Sequence, residues 1–104
     1  MEWFKDVNNR QIRLTHERQE HFETEHPEMS GQIGKIQDTL LDPDQVIRSL
    51  TDPEVELFYR HYDTTPVTQK YLCVVVKVLF DDLFIITAYF TDTVKGGEIL
   101  WEKK

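Results

Sequence analysis

The sequence predicts an α+β domain in which an N-terminal hairpin and two helices pack on one face of an antiparallel β-sheet. Three observations lead to this class. Apolar and polar residues alternate between Tyr71 and Thr91, as they do in half-buried strands. Apolar residues recur at helical spacing in 31–41. The helical segments precede a run of consecutive strands, and this separation is typical of α+β folds.

The first element is a hairpin with strands at 3–7 and 11–14. The turn between them contains Asn8-Asn9, and asparagine tolerates the positive φ that tight turns need. Thr15 is the expected N-cap of the helix that follows, because its hydroxyl can accept a hydrogen bond from a free backbone N–H. Pro27 disfavours helical geometry at the residue before it, so the first helix is expected to end there.

The second helix is predicted from Gly31 to Leu41, with Ser30 as its N-cap. Its apolar side chains share one side of the helix, which gives it a face for packing on a sheet. The acidic and proline-containing segment that follows ends the helix. The segment 46–50 is predicted as a short strand or a turn, and the strands predicted beyond it are 55–62, 71–79, 84–91 and 98–101.

The pairing of the two central strands decides which side chains share a face. We expect an odd number of loop residues between them, which places Lys77 on one open face with Thr87 and Tyr89. Burying the hydroxyls of Thr87 and Tyr89 among the valines would instead require hydrogen-bond partners for both. The other face would pack against the helix 31–41. It would consist of Leu72, Val74, Val76, Ile86 and Ala88.

Length and composition indicate one domain, residues 1–104, with a single core. The chain starts without a secretory signal, and no apolar run approaches the ~20 residues that a membrane span needs. Cys73 is the only cysteine, so no internal disulfide can form, and we expect a packed thiol and a cytoplasmic protein. The net charge of −7 argues against non-specific nucleic-acid binding, because an acidic surface repels polyanions.

Four segments of the sequence, taken together, carry a resemblance to a known family. They are Ile12–Arg18 with His21, His26–Met29, Thr39–Asp44, and Val74–Lys77 with Ile85–Tyr89. Taken together they resemble the small phage-type nuclease-like domains of the barnase–EndoU–colicin–RelE (BECR) superfamily, over about residues 11 to 101. Gln19 and Leu83 depart from that pattern, where a small or aromatic residue is typical, and the acidic charge departs from a ribonuclease toxin.

The resemblance implies a metal-independent endoribonuclease on the open face of the sheet, and a role as the toxin of a toxin–antitoxin pair. Such a reaction needs a base for the ribose 2′-hydroxyl, an acid for the leaving oxygen and a cation beside the phosphorane. Histidine suits both proton transfers near neutral pH. The candidate catalytic residues are His21, His26, Lys77, Thr87 and Tyr89, and the candidate substrate-binding residues are Arg18 and Arg60.

Every candidate also has a purely structural explanation, because exposed histidines and a lysine on a solvated sheet face are ordinary. His16, His21 and His26 are five residues apart, not the four that align zinc ligands on a helix, so we expect no metal and no cofactor. The alternative function is a non-catalytic protein-binding module of the same fold, immunity-like or regulatory, which the acidic charge favours. RNA and a cognate antitoxin protein are the expected partners of a nuclease, and a homodimer through a strand edge fits both functions.

Overall fold

The computed structural model describes residues 1–104 and contains two α-helices and a seven-stranded mixed sheet. In chain order the elements are β1 (Glu2–Lys5), β2 (Gln11–Leu14), α1 (His16–Glu25), a 3₁₀ turn (Pro27–Met29), α2 (Ile33–Leu41), β3 (Gln45–Arg48), β4 (Val55–His61), β5 (Tyr71–Val78), β6 (Leu83–Thr91) and β7 (Glu98–Glu102). The strand order is β1-β2-β6-β5-β4-β3-β7. The α+β class is confirmed. Neither helix is long and apolar enough to span a membrane.

The sheet departs from the prediction in two ways. It is mixed, because β2 runs parallel to β6 through a pairing of Arg13 with Phe84, whereas the other neighbouring strands are antiparallel. The N-terminal hairpin also continues the sheet beyond β6 and does not pack on a face of it. Local turn signals predict the pairing within a hairpin, but they carry no information about which distant strand the hairpin joins.

The first turn and the first helix cap are confirmed. Asn9 has a φ of 63° in the β1–β2 turn, and the Thr15 hydroxyl accepts a hydrogen bond from a backbone N–H in the first turn of α1 at 3.2 Å. The predicted cap of the second helix is wrong, because Ser30 lies outside α2. Gly31 follows with a φ of 76°, which glycine adopts without the strain of other residues. The chain turns at Gly31, and α2 begins only at Ile33.

The face that packs against α2, which we call the helix face, holds the main core. Ile36 and Leu40 of α2 are fully buried against it, as the predicted packing of this helix requires. Burying a side chain of this size stabilises the fold by about 1.5–3 kcal/mol. The residues of β5 and β6 in this core are Leu72, Val74, Val76, Ile85, Ala88 and Phe90. Four of the five predicted residues are therefore correct, and Ile86 is wrong because Ile85 takes its place.

A β-bulge in β6 explains the exchange. Away from the turn, Val75 pairs with Thr87, as the predicted register requires. The register then shifts, so that Val76 pairs with Ile85 and Ile86 is the extra residue. The loop that closes the hairpin consequently has an even number of residues and not the predicted odd number. Two adjacent isoleucines give no signal of which one lies in the core, so the sequence could not locate the bulge.

The opposite face, which we call the groove face, is only partly open. A second buried cluster lies on it, made of Ile47, Val55, Leu57, Tyr59 and Cys73. The segment 92–97 leaves β6, crosses the sheet and enters β7 at the far edge. We call this segment the strap. Its Val94 packs against the second cluster, and the backbone N–H of Lys95 donates to the Tyr59 hydroxyl at 3.2 Å. The strap therefore roofs part of a face that the sequence predicts to be open.

A buried ion cluster ties the N-terminal hairpin to β4. The Arg10 guanidinium lies 2.7 Å from Asp6 Oδ2 and 2.7 Å from Glu56 Oε1, and both carboxylate residues are buried. Burial lowers the pKa of Arg10, but the hydrogen bonds that its guanidinium donates to Glu56 and Asp6 outweigh this effect and raise that pKa above its usual value. This pairing keeps two buried carboxylates compensated and fixes the hairpin at the edge of the sheet.

Candidate functional site

Five of the seven candidate residues line a single groove of about 490 Å³ where α1 meets β6. We call it the histidine groove. Its lining consists of Arg18, His21, Glu25 and His26 from α1 and its C-cap, Ile86, Thr87 and Tyr89 from β6, and Lys95 from the strap. Two cations against one carboxylate give this lining a positive formal charge, although the whole chain carries −7.

Helix α1 presents its polar residues to the groove because one side chain fixes its rotation. Phe22 is the only buried residue of α1 and belongs to the main core. Arg18, His21 and Glu25 are three and four positions apart, so they lie on one side of the helix. The helix ends at His26, whose backbone N–H donates to the carbonyl of Phe22 at 2.7 Å. The spacing that brings these side chains together was visible in the sequence.

Both histidines of the groove have a carboxylate beside one ring nitrogen. Nε2 of His21 lies 3.0 Å from Oε1 of Glu25, and Nδ1 of His26 lies 3.5 Å from Oε1 of Glu28. A carboxylate at one nitrogen orients an imidazole and selects its tautomer, and the second nitrogen remains for a ligand. The ring of His26 also packs 5.6 Å from the ring of Tyr89, which links the end of α1 to β6.

Thr87 is the one residue with a buried side-chain polar atom that lacks a hydrogen-bond partner. An unpaired buried hydroxyl costs about 1–3 kcal/mol. Thr87 lines the histidine groove, where a bound ligand can supply the missing partner. Buried polar groups are nearly always satisfied in folded proteins, so Thr87 marks a position in the groove where a water molecule or a ligand group would complete the hydrogen bonding.

Tyr89 and Cys73 meet on the groove face. Burial raises the pKa of the Tyr89 phenol, and the neighbouring Cys73 raises it further, so the phenol is protonated at neutral pH and can donate a hydrogen bond. Burial also raises the pKa of the Cys73 thiol to about 11, against the opposing hydrogen bonds of Tyr89 and Tyr59. A protonated, buried thiol is a poor nucleophile. Cys73 is therefore a packed thiol.

Lys77 lies on the groove face but does not line the histidine groove. Its Nζ is 2.8 Å from Oδ2 of Asp52 and 3.5 Å from Oε1 of Glu54. The hydrogen bond between Lys77 and Asp52 raises the pKa of the lysine and lowers that of the aspartate. No local pattern indicates these partners, which come from the turn before β4. Lys95, and not Lys77, is the lysine that lines the histidine groove.

Arg60 is separated from the groove by the sheet itself. It pairs across the β4–β5 ladder with Leu72, a residue of the helix-face core. Its guanidinium lies 3.3 Å from a carboxylate oxygen of Asp42, just beyond α2. The expectation that Arg60 binds a substrate together with Thr87 and Tyr89 therefore has to be corrected, because the alternation of β4 directs it to the opposite face.

Lys95 is the residue that sequence reasoning missed. It precedes Gly96-Gly97, and this group of residues predicts only a turn. Its place in the groove follows from the crossing of the strap, which depends on the pairing of β7 with β3. A lone base next to two glycines in an acidic chain was the only available signal.

No three His, Cys, Asp or Glu side chains converge in a way that could hold a metal ion. In comparisons with known proteins, no family model matches the chain, and neither a curated protein nor a solved structure matches it. The BECR resemblance therefore stays a prediction. Fold and site define the class to which the molecule belongs: an α+β domain with a cationic groove that carries two histidines on one face of a mixed sheet.

Proposed function

We propose that this chain is a BECR-like endoribonuclease that cleaves RNA in the histidine groove by proton transfer. The observation that carries the proposal is that two imidazoles and two cations line the same groove as the unpaired Thr87 hydroxyl. The positive lining suits a phosphate, and histidine is the side chain that exchanges protons near neutral pH. The order of hairpin, helices and consecutive strands supports the finer BECR-like assignment of the fold.

The proposed reaction uses the ribose of the substrate as its nucleophile. One histidine takes the proton of the 2′-hydroxyl, and the 2′-oxygen forms a bond to the adjacent phosphorus. The bond from phosphorus to the 5′-oxygen breaks, and the second histidine gives that oxygen a proton. The products are a 2′,3′-cyclic phosphate and a 5′-hydroxyl end. The two proton transfers are supplied by side chains, so the proposed reaction needs no metal.

The roles within the groove follow from depth and charge. We assign the base to His26, whose side chain is 36% exposed and packs on Tyr89, and the acid to His21, which is 56% exposed at the rim. Arg18 and Lys95 are the cations that would stabilise charge on the phosphorane. The Thr87 hydroxyl and the protonated Tyr89 phenol are hydrogen-bond donors for its oxygens.

The test is RNA cleavage by the purified chain and by two histidine variants. His26→Ala removes the proposed base and should lower the rate of cleavage by about 10²–10⁴. His16→Ala is the matched control, because His16 is exposed at the start of α1 and does not line the groove. The assay should run at low salt with chelator present, since an acidic protein binds RNA weakly at high ionic strength.

The nuclease would be rejected by folded wild-type protein that cleaves neither single-stranded nor structured RNA and leaves growth unchanged when its expression is induced. A His26→Ala variant that is as active as His16→Ala would reject His26 as the base of the reaction. Loss of growth with wild-type protein, but not with His26→Ala, would support the further proposal that the chain is the toxin of a toxin–antitoxin pair.

A second candidate function is a protein-binding module of the same fold without catalysis. The net charge of −7 favours it, because RNA is repelled from most of the surface. In this case the histidine groove would take an acidic segment of a partner protein, held by Arg18 and Lys95. Binding of an acidic peptide that Lys95→Ala abolishes, together with absent RNA cleavage, would decide for this function.

A further inference from the structure

A pocket of about 400 Å³ lies where β3 and β5 begin and β7 ends. We call it the tyrosine pocket, because Tyr59 and Tyr71 are its two aromatic lining residues. Val94 of the strap is the third apolar residue of the lining. No residue lines both this pocket and the histidine groove, so the tyrosine pocket is separate from the proposed site of cleavage.

The polar part of the tyrosine pocket carries two carboxylates that form no ion pair. Asp44 and Glu102 line the pocket, and neither is bridged to a lysine, arginine or histidine. Lys103 is the only cation of the lining, and its Nζ lies 3.2 Å from Oδ2 of Asp42, which does not line the pocket. The pocket therefore presents negative charge that the protein itself does not neutralise.

Both carboxylates are held in place by hydrogen bonds that leave one oxygen free. The backbone N–H of Asp44 donates to the carbonyl of Tyr59 at 2.7 Å, and Oδ2 of Asp44 accepts from the backbone N–H of His61 at 2.7 Å. Oε2 of Glu102 accepts from Nε2 of Gln45 at 2.7 Å. Oδ1 of Asp44 and Oε1 of Glu102 accept no hydrogen bond from the protein. Acceptors that are already positioned lose little freedom when a ligand binds.

The two tyrosine rings are also fixed. Tyr59 is buried, and its hydroxyl accepts a hydrogen bond from the backbone N–H of Lys95 at 3.2 Å. Tyr71 is half-buried, and its ring meets the ring of His61 edge-on, with 5.3 Å between the centroids. Aromatic rings attract a cation over their faces, so the rings and the carboxylates favour a ligand of the same charge.

Guanidinium is the cation that this combination fits best. It is planar, it stacks on aromatic rings, and its N–H groups form a fork that matches carboxylate oxygens. An ammonium group is a strongly hydrated point charge, so it would lose more hydration between two rings. A volume of about 400 Å³ lies in the ordinary range for small-ligand pockets, roughly 300–1,000 Å³.

We propose that the tyrosine pocket binds a guanidinium group. Asp44 and Glu102 accept its hydrogen bonds, and a tyrosine ring packs on its plane. The group belongs either to an arginine side chain of a partner protein or to a free small molecule. The net charge of −7 attracts a basic ligand from both sources. The proposal does not depend on the nuclease, because the two sites share no residue.

The test is a titration of isotope-labelled protein with N-acetylarginine amide, followed by the NMR shifts of the backbone amides. The citrulline analogue has nearly the same shape without the charge, and the lysine analogue has the charge without the planar group. The arginine compound should bind about tenfold or more tightly than the citrulline compound, since a hydrogen bond to a charged group contributes on that scale. It should also bind more tightly than the lysine compound. The shifts should be concentrated around Asp44 and Tyr71.

Glu102→Gln tests one carboxylate at an exposed position, where the amide oxygen can still accept from Gln45. It should weaken binding of the arginine compound about tenfold. Glu98→Gln is the matched control, with the same change of charge on the same strand but outside the pocket. Its ion pair with Arg48 is solvent-exposed, so folding should be kept and binding should be unchanged. Tyr71→Leu removes one ring and should weaken binding about threefold or more.

Two further ligands distinguish the sources of the guanidinium. One is a short peptide that has a single arginine and no other charge, and the other is agmatine, a free guanidinium compound. Tighter binding of the peptide assigns the pocket to an arginine of a partner protein. Tighter binding of agmatine assigns it to a small molecule.

Three results would overturn the site. They are equal binding of the arginine and citrulline compounds, no saturable shift of the pocket amides with any guanidinium compound, and a Glu102→Gln variant that binds as tightly as Glu98→Gln. Equal binding of the lysine and arginine compounds would overturn the choice of guanidinium. A preference for the arginine compound that Glu102→Gln and Tyr71→Leu both reduce, with Glu98→Gln unchanged, supports the proposal. None of these measurements involves RNA, so a failure here is distinct from a failure of the nuclease.

Discussion

The two faces of the sheet are built by the same strands but differ in how completely their side chains are matched. The helix face buries a cluster of 15 residues against both helices. The groove face buries a cluster of 5, and it leaves the Thr87 hydroxyl without a partner. Most of the stability should therefore come from the helix face. Departures from good packing are concentrated on the other side, where a ligand can compensate them.

The test with the largest expected effect compares two neighbouring residues of β4. Phe58 is fully buried on the helix face and Leu57 is nearly so on the groove face. Phe58→Ala should lower the free energy of unfolding by about 3–5 kcal/mol, and Leu57→Ala by about 2 kcal/mol, because the strap can settle into the smaller space. Urea unfolding followed by circular dichroism measures both. Equal losses would mean that the faces contribute equally.

A test of intermediate size concerns the two glycines at the end of the strap. A Cβ on Gly97 would clash with the carbonyl oxygen of Arg48 and lie 2.7 Å from Cγ2 of Ile47, whereas a Cβ on Gly96 would meet nothing. Gly97→Ala should therefore lower stability by about 1–3 kcal/mol. Gly96→Ala is the control and should stay within about 0.5 kcal/mol of the wild type. A stable Gly97→Ala would show that the strap is not held closely against β3.

Thr87→Val should separate stability from function with a smaller change. It removes the unpaired hydroxyl and keeps the shape of the side chain, so stability should rise by up to about 1 kcal/mol. Cleavage of RNA should fall by about tenfold through loss of a donor to the phosphate. Thr91→Val on the same strand is the control, because its hydroxyl already donates to the carbonyl of Thr93 at 3.3 Å. Stability that falls in Thr87→Val would show that the hydroxyl has a partner in solution.

The test with the smallest expected effect on stability near neutral pH concerns Cys73 and its reactivity. Burial raises its pKa from 9.0 to about 11, so at about pH 8 the native thiol should hold roughly 100-fold less thiolate than the unfolded chain. Alkylation by iodoacetamide should be very slow in native protein, faster as pH rises, and rapid in urea. The free energy of unfolding should also depend on pH. The thiol of the unfolded chain ionises at a lower pH than the native thiol, so stability falls as pH rises above about 9. Rapid alkylation of the native protein would mean that the groove face opens readily.

The sequence was sufficient to predict most local features of the structure but few of the contacts between distant segments. The φ of Asn9, the cap at Thr15 and the shared side of Arg18 and His21 all follow from residues close in the chain. Thr87 shares a face of β6 with Tyr89, because side chains along a strand alternate between its two faces. The five candidates that line the histidine groove were named through the BECR resemblance, whereas the shared face of Thr87 and Tyr89 was predicted from local periodicity alone.

What could not be predicted depends on contacts between distant segments. The parallel pairing of Arg13 with Phe84, the ion pair of Lys77 with Asp52 and the crossing that delivers Lys95 each join parts of the chain that carry no mutual signal. The bulge at Ile86 is local but is concealed by two adjacent isoleucines. Lys77 therefore lies on the predicted face of the sheet, but the lysine that lines the histidine groove is Lys95.

The strap also determines the order in which parts of the molecule can form during folding. It passes from β6 over three strands to β7 with only residues 92–97. Four interstrand steps of about 4.8 Å make about 19 Å, and the seven Cα–Cα steps from Thr91 to Glu98 reach about 23–25 Å when extended, so there is little slack. Such a segment can dock only after β3, β4 and β5 have paired, and it can lift away without breaking their ladders. Amide hydrogens of the strap should exchange earlier than those of β5. During folding, the central sheet should form before the strap closes over the groove face.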